Sequence, residues 1–333
     1  MALLIGTDEG VFRADDVPFE DGETERVIDG RTTDVLRVAD TGNVLAATFD
    51  DLYRSRNGGR SWERLGVPGD DRQVWSALAT PNAVYAGTDG PALFRSTDEG
   101  ETWDRLDAFD DLPSKPIWQS PVDPDRARVR TLASPPGHSN RIVVGIEAGG
   151  VHVSEDGGKT WTDRRAASPD DVHQLFPLGA DEWLLAAGYL GLDGEETVSE
   201  PGGVHHTTDA GRSWTRLDDG NEHAYVRGVF AHDGVTYFCG SRTAPGAWRD
   251  GNGTDSVLFE STNGGDAFER VSYPGEPREL VMAWTAVDGA VVGGTGGFVT
   301  TAGDEQGRVI RRADDGWDTV GSVPGNVHAI ESI

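Results

Sequence analysis

Five eight-residue stretches of nearly the same sequence decide the fold: SRNGGRSW at 55–62, STDEGETW at 96–103, SEDGGKTW at 154–161, TTDAGRSW at 207–214 and STNGGDAF at 261–268. Each lies between two short runs with the composition of β-strands, which is typical of a β-hairpin. The Asp or Asn at the third position can bond its own backbone two residues on, and the Gly at the fifth supplies a positive φ. The sequence therefore predicts one stabilised hairpin, written five times.

Two positions of each stretch carry the predicted hairpin. The third position holds the turn-forming side chain, and the eighth holds an aromatic ring that we expect to be buried in the next strand. The turn residues are Asn57, Asp98, Asp156, Asp209 and Asn263, and the rings are Trp62, Trp103, Trp161, Trp214 and Phe268.

The spacing of the rings indicates the architecture. They lie 41, 58, 53 and 54 positions apart, close to the roughly 40–50 residues of a four-stranded propeller blade. A repeated valine marks the expected innermost strands. Its copies are Val35, Val74, Val129, Val172, Val226, Val281 and Val327. The last copy lies at the C-terminus, and the segment ALLIGT at 2–7 resembles the second strands elsewhere, so the final strand is expected to pair beside the first.

We therefore predict an all-β fold, a seven-bladed β-propeller with four-stranded blades, as one domain over residues 1–333. One blade is shared by 1–30 and 325–333, and the others cover 31–68, 69–110, 127–166, 170–218, 222–273 and 278–324. An insertion at 108–126, and others at 188–203, 240–257 and 294–307, fall on the face opposite the five turns. Long loops on one face of a rigid scaffold are where binding usually occurs.

The pattern S/T-x-D/N-x-G-x-S/T-W resembles the Asp-box, or BNR repeat, of a β-propeller superfamily. That superfamily includes sialidases, xyloglucan-cleaving glycosidases, sortilin-type receptors and photosystem II assembly factors. The chain most resembles microbial proteins described as BNR-repeat, sialidase-like or glycosyl-hydrolase-like. The resemblance implies that the box is a structural corner on the face away from the ligand. It leaves the activity open, because the box itself does no chemistry.

The charge of the chain narrows the classes of partner. Asp and Glu number 57 against 29 Lys and Arg, giving a net charge of −28. Such a chain should repel nucleic acid and anionic membranes. Molar salt would screen the self-repulsion, so the composition predicts a halophilic, cytoplasmic protein. We expect a monomer, because a closed ring of blades leaves no sheet edge to pair.

Basic residues at equivalent positions mark a candidate binding site. The residues that follow the repeated valines are Leu36, Trp75, Arg130, His173, Arg227, Met282 and His328. Four of the seven are Arg or His, which predicts an anion or carboxylate site at the mouth of the central channel. The alternative is that each pairs with a carboxylate between blades. Arg242 ends a second strand at the same mouth. Trp118 and Trp248 lie in loops of that face, where they either stack on a sugar or pin their own loops.

Carboxylates at the ends of second strands are candidate catalytic groups. Asp8, Asp89, Glu147 and Tyr189 occupy such positions. Sialidases use a Tyr activated by a Glu together with three arginines, but this sequence lacks their Arg-Ile-Pro segment. A glycosidase that uses two of the carboxylates stays open, because their separation decides acid/base competence.

The leading hypothesis is an intracellular propeller that binds a small anionic or carbohydrate-like ligand at the channel mouth, with glycosidase-like hydrolysis left open. The alternative is a non-catalytic scaffold for protein interaction or assembly, which would expose apolar residues at its loop tips. No cofactor is expected. No metal is expected either, because DGNGTD at 250–255 departs from a calcium loop at the fifth and twelfth positions.

Overall fold

The computed structural model describes residues 1–20, 22–39, 41–69, 73–120, 126–188, 202–243, 255–275, 279–297 and 306–333. Within them the helical elements are three 3-10 turns of three residues each, at Asp107–Phe109, Lys115–Ile117 and Arg165–Ala167. No helix in these ranges is long and apolar enough to cross a membrane.

The described residues form seven four-stranded antiparallel sheets, the blades of a seven-bladed β-propeller, as the sequence predicts. Blade 1 contains β1 (Leu3–Thr7), β2 (Gly10–Ala14) and β3 (Glu25–Asp29), and blade 2 contains β4 (Thr32–Arg37), β5 (Val44–Thr48), β6 (Leu52–Ser55) and β7 (Glu63–Arg64). Blade 3 contains β8 (Val74–Thr80), β9 (Ala83–Thr88), β10 (Leu93–Ser96) and β11 (Asp104–Arg105). Blade 4 contains β12 (Arg128–Ala133), β13 (Ile142–Glu147), β14 (Gly150–Ser154) and β15 (Thr162–Asp163).

The remaining blades follow the same order along the chain. Blade 5 contains β16 (Val172–Pro177), β17 (Trp183–Ala187), β18 (Gly203–Thr207) and β19 (Thr215–Arg216). Blade 6 contains β20 (Tyr225–His232), β21 (Val235–Ser241), β22 (Val257–Ser261) and β23 (Glu269–Val271). Blade 7 contains β24 (Glu279–Val287), β25 (Ala290–Gly297), β26 (Gln306–Ala313) and β27 (Gly316–Pro324), and the last strand, β28 (Val327–Ser332), completes blade 1.

The chain divides into two compact units, one made of residues 1–64 and 230–333 and the other of residues 65–229. The first unit contains blades 1, 2 and 7 and most of blade 6. The second contains blades 3, 4 and 5 and the start of β20. The predicted single domain and its blade limits stay predictions.

In the first unit, the two ends of the chain share one sheet. Strand β28 pairs antiparallel with β1, with Leu3 opposite Ser332 and Ile5 opposite Ile330. Two backbone hydrogen bonds between Ala2 and Ile333, 3.0 and 2.9 Å long, extend the pairing beyond the strands. The predicted pairing of the C-terminal strand beside the N-terminal strand is confirmed. Apolar side chains of blades 1 and 7 form one core cluster there, including Leu3, Ile5, Phe12, Val309 and Val323.

The second unit has cores of its own between successive blades. One joins blades 3 and 4 and includes Tyr85, Phe109, Val129, Val144 and Ile146. Another joins blades 4 and 5 and includes Val143, Val153, Val172, Trp183 and Leu185. The valines of the predicted inner strands thus lie in the core, which holds those strands in place beside the candidate site.

The five repeated stretches form the turns between the third and fourth strands of blades 2 to 6, as predicted. In the second of them, the Oδ1 atom of Asp98 accepts from the backbone N–H of Thr102, 2.9 Å away, and Asp98 Oδ2 accepts from the Thr102 hydroxyl at 2.6 Å. The Ser96 hydroxyl accepts from the N–H of Gly100 at 2.7 Å. The prediction that the Asp bonds the backbone two residues on is therefore wrong. It bonds four residues on, because two successive left-handed residues, Glu99 (φ 60°) and Gly100 (φ 95°), fold the chain back over the carboxylate.

The aromatic residues at the eighth position are half-buried rather than buried, which corrects the expectation of full burial. Three of them, Trp62, Trp161 and Trp214, pack against core clusters from the edge. The indole N–H of Trp62 donates to Gly59 O at 3.0 Å and that of Trp161 to Gly158 O at 3.1 Å, whereas Trp103 donates to Leu65 O.

Candidate functional site

Several of the candidate binding residues occupy β-bulges. In blades 3, 4 and 5 the pairing of first and second strands skips one residue after each valine, and the skipped residues are Trp75, Arg130 and His173. A bulged residue has no partner on the neighbouring strand, so its side chain departs from the regular alternation of side chains between the two faces of the sheet. In the first unit, His328 and Met282 occupy the same kind of position. A shared bulge explains why these positions are equivalent.

One predicted equivalence is wrong. In blade 2 the pairing skips Thr33, which lies between Thr32 and Asp34. Leu36 pairs regularly with Leu45. The sequence comparison aligned Val35 with the other valines, but Thr32 occupies their place in the strand.

The second unit brings together Arg130, His173 and Arg227 of the prediction with Glu147. Arg128 donates to Glu147 Oε2 at 2.9 Å, with both side chains largely buried. Glu147, Asp171 and His173 each offer one atom that could bind a ligand, and these three atoms lie within 4.8 Å of one another. Arg227 donates to the hydroxyl of Tyr225 at 3.3 Å. We call this group the arginine cluster: Arg128, Arg130, Glu147, Asp171, His173, Tyr225 and Arg227.

Arg130 is the member of the cluster with the fewest partners. Its guanidinium lies over the ring of Trp75, 5.4 Å from the centroid, and Arg128 lies over the same ring at 4.3 Å. Its buried Nε–H has no acceptor among the described residues, and no carboxylate there forms an ion pair with it. Burial, together with the charge of Arg227, lowers the pKa of Arg130 to about 10. Trp75, predicted to bind ligand, is itself buried and supports the two guanidinium groups.

His173 is held in place by the backbone. Its Nδ1 lies 2.7 Å from the carbonyl oxygen of Val226, and its Nε2 lies 3.4 Å from Asp171 Oδ1. The ring packs against Tyr225, with centroids 5.0 Å apart. Because Nδ1 faces a carbonyl oxygen, it carries a proton, and Nε2 is the nitrogen that faces the rest of the cluster.

Asp171 was missed by the sequence analysis. It is 96 % buried, since its exposed fraction is 4 %. Burial acts to raise the pKa of Asp171, but the charges of His173, Arg227 and Arg130 outweigh it and lower the pKa. In the sequence, Asp171 is a carboxylate directly before the repeated Val172. Only the residues that follow the valines were compared in the sequence analysis. The Cα of Gly188 approaches so closely that a Cβ there would lie 2.3 Å from Asp171 Oδ2.

Two of the candidate catalytic carboxylates are tied to arginines. Asp89 lies 2.6 Å from Arg126 and accepts from the N–H of Gln73 at 2.9 Å. Glu147 bonds to Arg128, as described above. A general acid usually needs a carboxyl group that its surroundings keep protonated. Each of these two carboxylates is instead the partner of a guanidinium group.

The third candidate carboxylate, Asp8, lies in the first unit. It accepts hydrogen bonds from His328 and Asn326 and forms an ion pair with Arg31 at 3.2 Å. The contact with His328 matches the alternative that basic residues pair with carboxylates. The remaining candidate, Tyr189, lies outside the described residues.

Other predicted ligand contacts differ in outcome. Trp118 is buried, its N–H donates to Ser114 Oγ at 2.9 Å, and its ring packs 4.7 Å from His152. Its burial leaves no open face for a sugar, so of the two readings the structure supports the one in which it pins its loop. Arg242 forms an exposed ion pair with Asp255 at 3.1 Å. Trp248 lies outside the described residues.

The cluster combines cationic donors with carboxylate acceptors. Three arginines against two carboxylates give a local charge of +1 with His173 neutral, in a chain whose net charge is −28. Glu147, Asp171 and His173 have the residue types and proximity of a divalent cation site. The three arginines oppose a cation there, and Glu147 already accepts from one of them. The local electrostatics therefore favour an anion over a metal ion.

Comparison with known proteins agrees with the fold. No family model matches the chain. A curated xyloglucanase of Hypocrea jecorina (strain QM6a) is 30% identical over 206 residues, a match that covers 54% of this chain and 24% of that protein. The chain thus spans about a quarter of the length of this relative.

Solved structures that share the fold include a glycoside hydrolase and a peptide-bound protein. The GH74 xyloglucanase from Xanthomonas campestris superposes with a TM-score of 0.58 at 17% identity, over 96% of this chain and 46% of that one. A structure described as YCF48 bound to D1 peptide superposes with a TM-score of 0.53 at 14% identity, over 96% of this chain and 84% of that one. At these identities the likeness shows the fold alone, a β-propeller.

Proposed function

We propose that the protein binds a small anionic, carbohydrate-like ligand at the arginine cluster of the second unit. Arg130 is the observation that carries this proposal. It is an arginine with no ion pair in the described part of the chain and with a buried Nε–H that lacks an acceptor. An arginine that braced two blades would have found a carboxylate, since Asp and Glu outnumber Lys and Arg by 57 to 29.

Electrostatics give the proposed anion its affinity. The charge of Arg227 and burial both lower the pKa of Arg130, so the charged guanidinium is held there at a cost in free energy. An anion between the two arginines would offset their repulsion and accept a hydrogen bond from the buried Nε–H of Arg130. Guanidinium groups bind carboxylates through paired, charge-assisted hydrogen bonds. The ring of Trp75 and the hydroxyl of Tyr225 hold the two arginines in place before the ligand arrives.

Hydrolysis of a glycoside is the second candidate function. The match to the curated xyloglucanase supports it, and Glu147 and Asp171 bring carboxylate oxygens within 4.8 Å of each other. Against it, Glu147 is already bound to Arg128, and the pKa of Asp171 is lowered, which favours its charged form. Binding is therefore the function that the geometry supports better. Release of reducing sugar from xyloglucan and from acidic polysaccharides tests hydrolysis directly.

A scaffold for protein assembly has less support from the described surface. The large apolar side chains exposed there are Met1, Ile117 and Leu178. They are far apart in sequence and form no continuous apolar stretch of loop, whereas a docking surface would present a contiguous patch. The likeness to YCF48 keeps a peptide in the panel of test ligands.

Thermal unfolding in molar KCl, with and without ligands, tests the proposal. The panel contains uronates, sugar phosphates, neutral oligosaccharides and an acidic peptide. A ligand at about 100 times its Kd stabilises the folded protein by about 2.7 kcal/mol. We expect the uronates to raise the Tm of the wild type and to have no effect on Arg130→Gln/Arg227→Gln.

The control is Arg105→Gln. Arg105 is half-exposed and pairs with Asp110 at 2.5 Å, outside the cluster, so its loss should leave the ligand-induced shift intact. If no anion raises the Tm of the wild type, the proposal is wrong. The high-salt medium also tests the proposed halophilic, cytoplasmic setting, in which the Tm should fall as KCl is removed.

A further inference from the structure

Two unsatisfied groups of opposite kind lie in the arginine cluster. The buried Nε–H of Arg130 lacks an acceptor, and the buried Oδ1 of Asp171 lacks a donor, among the described residues. His173 Nε2 lies 3.4 Å from that oxygen. Buried polar groups in proteins are almost always hydrogen-bonded, so we expect each of the two groups to bind a hydrogen-bond partner.

The two groups act on each other through their charges. Arg130 and Arg227 both lower the pKa of Asp171, and Glu147 acts on Arg130 in the opposite direction to Arg227. A ligand that reaches Arg130 therefore lies within the field of Asp171. A simple anion would satisfy the guanidinium but would leave the carboxylate without a donor.

We infer that the ligand is a hydroxylated carboxylate of the sugar-acid class. The inference rests on the proposed function and specifies its ligand. The ligand's carboxylate accepts from Arg130 and Arg227, and a hydroxyl on a neighbouring carbon donates to Asp171. Arg227 and Arg130 keep Asp171 in the charged form that accepts the hydroxyl, and His173 Nε2 lies 3.4 Å from the same carboxylate oxygen.

Charge balance favours a hydroxyl over an ammonium group as the donor. The three arginines and two carboxylates of the cluster sum to +1 with His173 neutral. A sugar acid carries one negative charge and brings the sum to zero. An amino acid is a zwitterion without net charge, so the largely buried cluster would remain at +1 and one charge would stay uncompensated.

Three small molecules separate the contributions of the carboxylate and of the hydroxyls to binding. Glucuronate carries both the carboxylate and hydroxyls, cyclohexanecarboxylate carries the carboxylate alone, and glucose carries hydroxyls alone. Alanine tests the ammonium alternative. Titration calorimetry in molar KCl measures each of them against the wild type, Asp171→Asn and the control Arg105→Gln.

We expect glucuronate to bind the wild type at least about tenfold more tightly than cyclohexanecarboxylate, because a hydrogen bond to a charged group carries that difference. Glucose and alanine should bind more weakly than either. Asp171→Asn replaces a carboxylate by an amide of the same shape, so it should reduce the preference for glucuronate while anion binding persists. Arg105→Gln should keep the wild-type preference.

The outcomes distinguish this inference from the function on which it rests. Equal affinity for glucuronate and cyclohexanecarboxylate would leave anion binding in place and overturn the role of the hydroxyl. A preference that survives in Asp171→Asn would assign the hydroxyl to another group and overturn the role of Asp171. Tightest binding by alanine would overturn the charge argument. No binding by any carboxylate would overturn both proposals.

Discussion

Asp8 and His328 are 320 residues apart in sequence, and the Nε2 atom of His328 lies 2.7 Å from the Oδ1 atom of Asp8. The side-chain amide of Asn326 donates to the other oxygen at 2.9 Å. Asp8 directly follows β1, and His328 belongs to β28. The contact therefore fastens the last strand of the chain to the first, in addition to the backbone pairing of the two strands.

Replacement of Asp8 by Asn should loosen this fastening. Burial acts to raise the pKa of Asp8, but His328 and Arg31 outweigh it and hold the pKa well below its ordinary 3.8. The folded protein thus binds fewer protons at this site than the unfolded chain, so the stabilisation is present above pH 3.8 and is lost as the pH falls below it. We expect Asp8→Asn to lose about 1–3 kcal/mol of unfolding free energy near neutral pH, measured by urea titration.

Asp29→Asn is the matched control. Asp29 pairs with Arg26 at 3.0 Å, but its side chain is 86 % exposed, and exposed ion pairs contribute little. Equal losses in the two variants would show that the contact between Asp8 and His328 does not stabilise the fold.

Glu99 offers a test of the turn geometry. It occupies the fourth position of its turn in a left-handed conformation with φ 60°, where three of the other four turns have Gly. A residue with a side chain pays about 1 kcal/mol or more for this conformation. Glu99→Gly should therefore raise the unfolding free energy by about 0.5–1 kcal/mol, a gain that thermal unfolding would detect.

Gly158→Ala provides the opposite case in the same kind of turn. Gly158 has φ 92°, and a Cβ there would lie 2.6 Å from a methyl carbon of Leu106. This variant should be less stable than the wild type. A neutral or destabilising effect of Glu99→Gly would mean that the contacts of the Glu99 side chain outweigh the backbone strain.

The sequence predicts those parts of the fold that short, local sequence motifs determine. Each turn carries its own hydroxyl, carboxylate or carboxamide, and glycine within eight residues, so the hairpins could be located without knowledge of the rest. The pairing of β28 with β1 followed from counting inner strands against second strands. The burial of the aromatic residues could not be predicted in this way, because it depends on which neighbouring segment of the chain covers each ring.

The candidate site was less predictable, because its positions depend on bulges. A bulge shifts the register by one residue, and the identity of the skipped residue is visible in the strand pairing and not in the sequence. Leu36 was misassigned for this reason. Asp171 was missed because its role arises from the charges of Arg227 and Arg130, which lie on other strands of the second unit.

Glu331 should make the stability of the first unit fall as the pH rises. Burial raises the pKa of Glu331 from its ordinary 4.5 to about 7, and Asp34 adds to the effect while Arg37 opposes it. The folded protein therefore binds more protons than the unfolded chain between these two values, and the stabilisation is lost as the pH rises through 7. Glu331→Gln should be the more stable protein above pH 7, by up to about 3 kcal/mol.

His152 should have the opposite effect in the second unit. It is fully buried beside Trp118, and burial lowers its pKa from the ordinary 6.5 to about 4, although Asp163 acts in the opposite direction. Between these values the unfolded chain binds the additional proton, so stability is present above pH 6.5 and is lost as the pH falls toward 4. His152→Gln should lack this loss, and urea titration across that range should show a flatter profile than the wild type.

The two effects fall in nearly the same range of pH and have opposite signs, so calorimetry of the single variants tests how the two units unfold. If the chain unfolds in one transition, the contributions of Glu331 and His152 should offset each other in the wild type. Each single variant should then show the pH dependence of stability that the remaining residue causes. If the units unfold separately, Glu331→Gln should move one transition and His152→Gln the other. A wild-type profile that is flat in pH, with both variants equally flat, would contradict both pKa shifts.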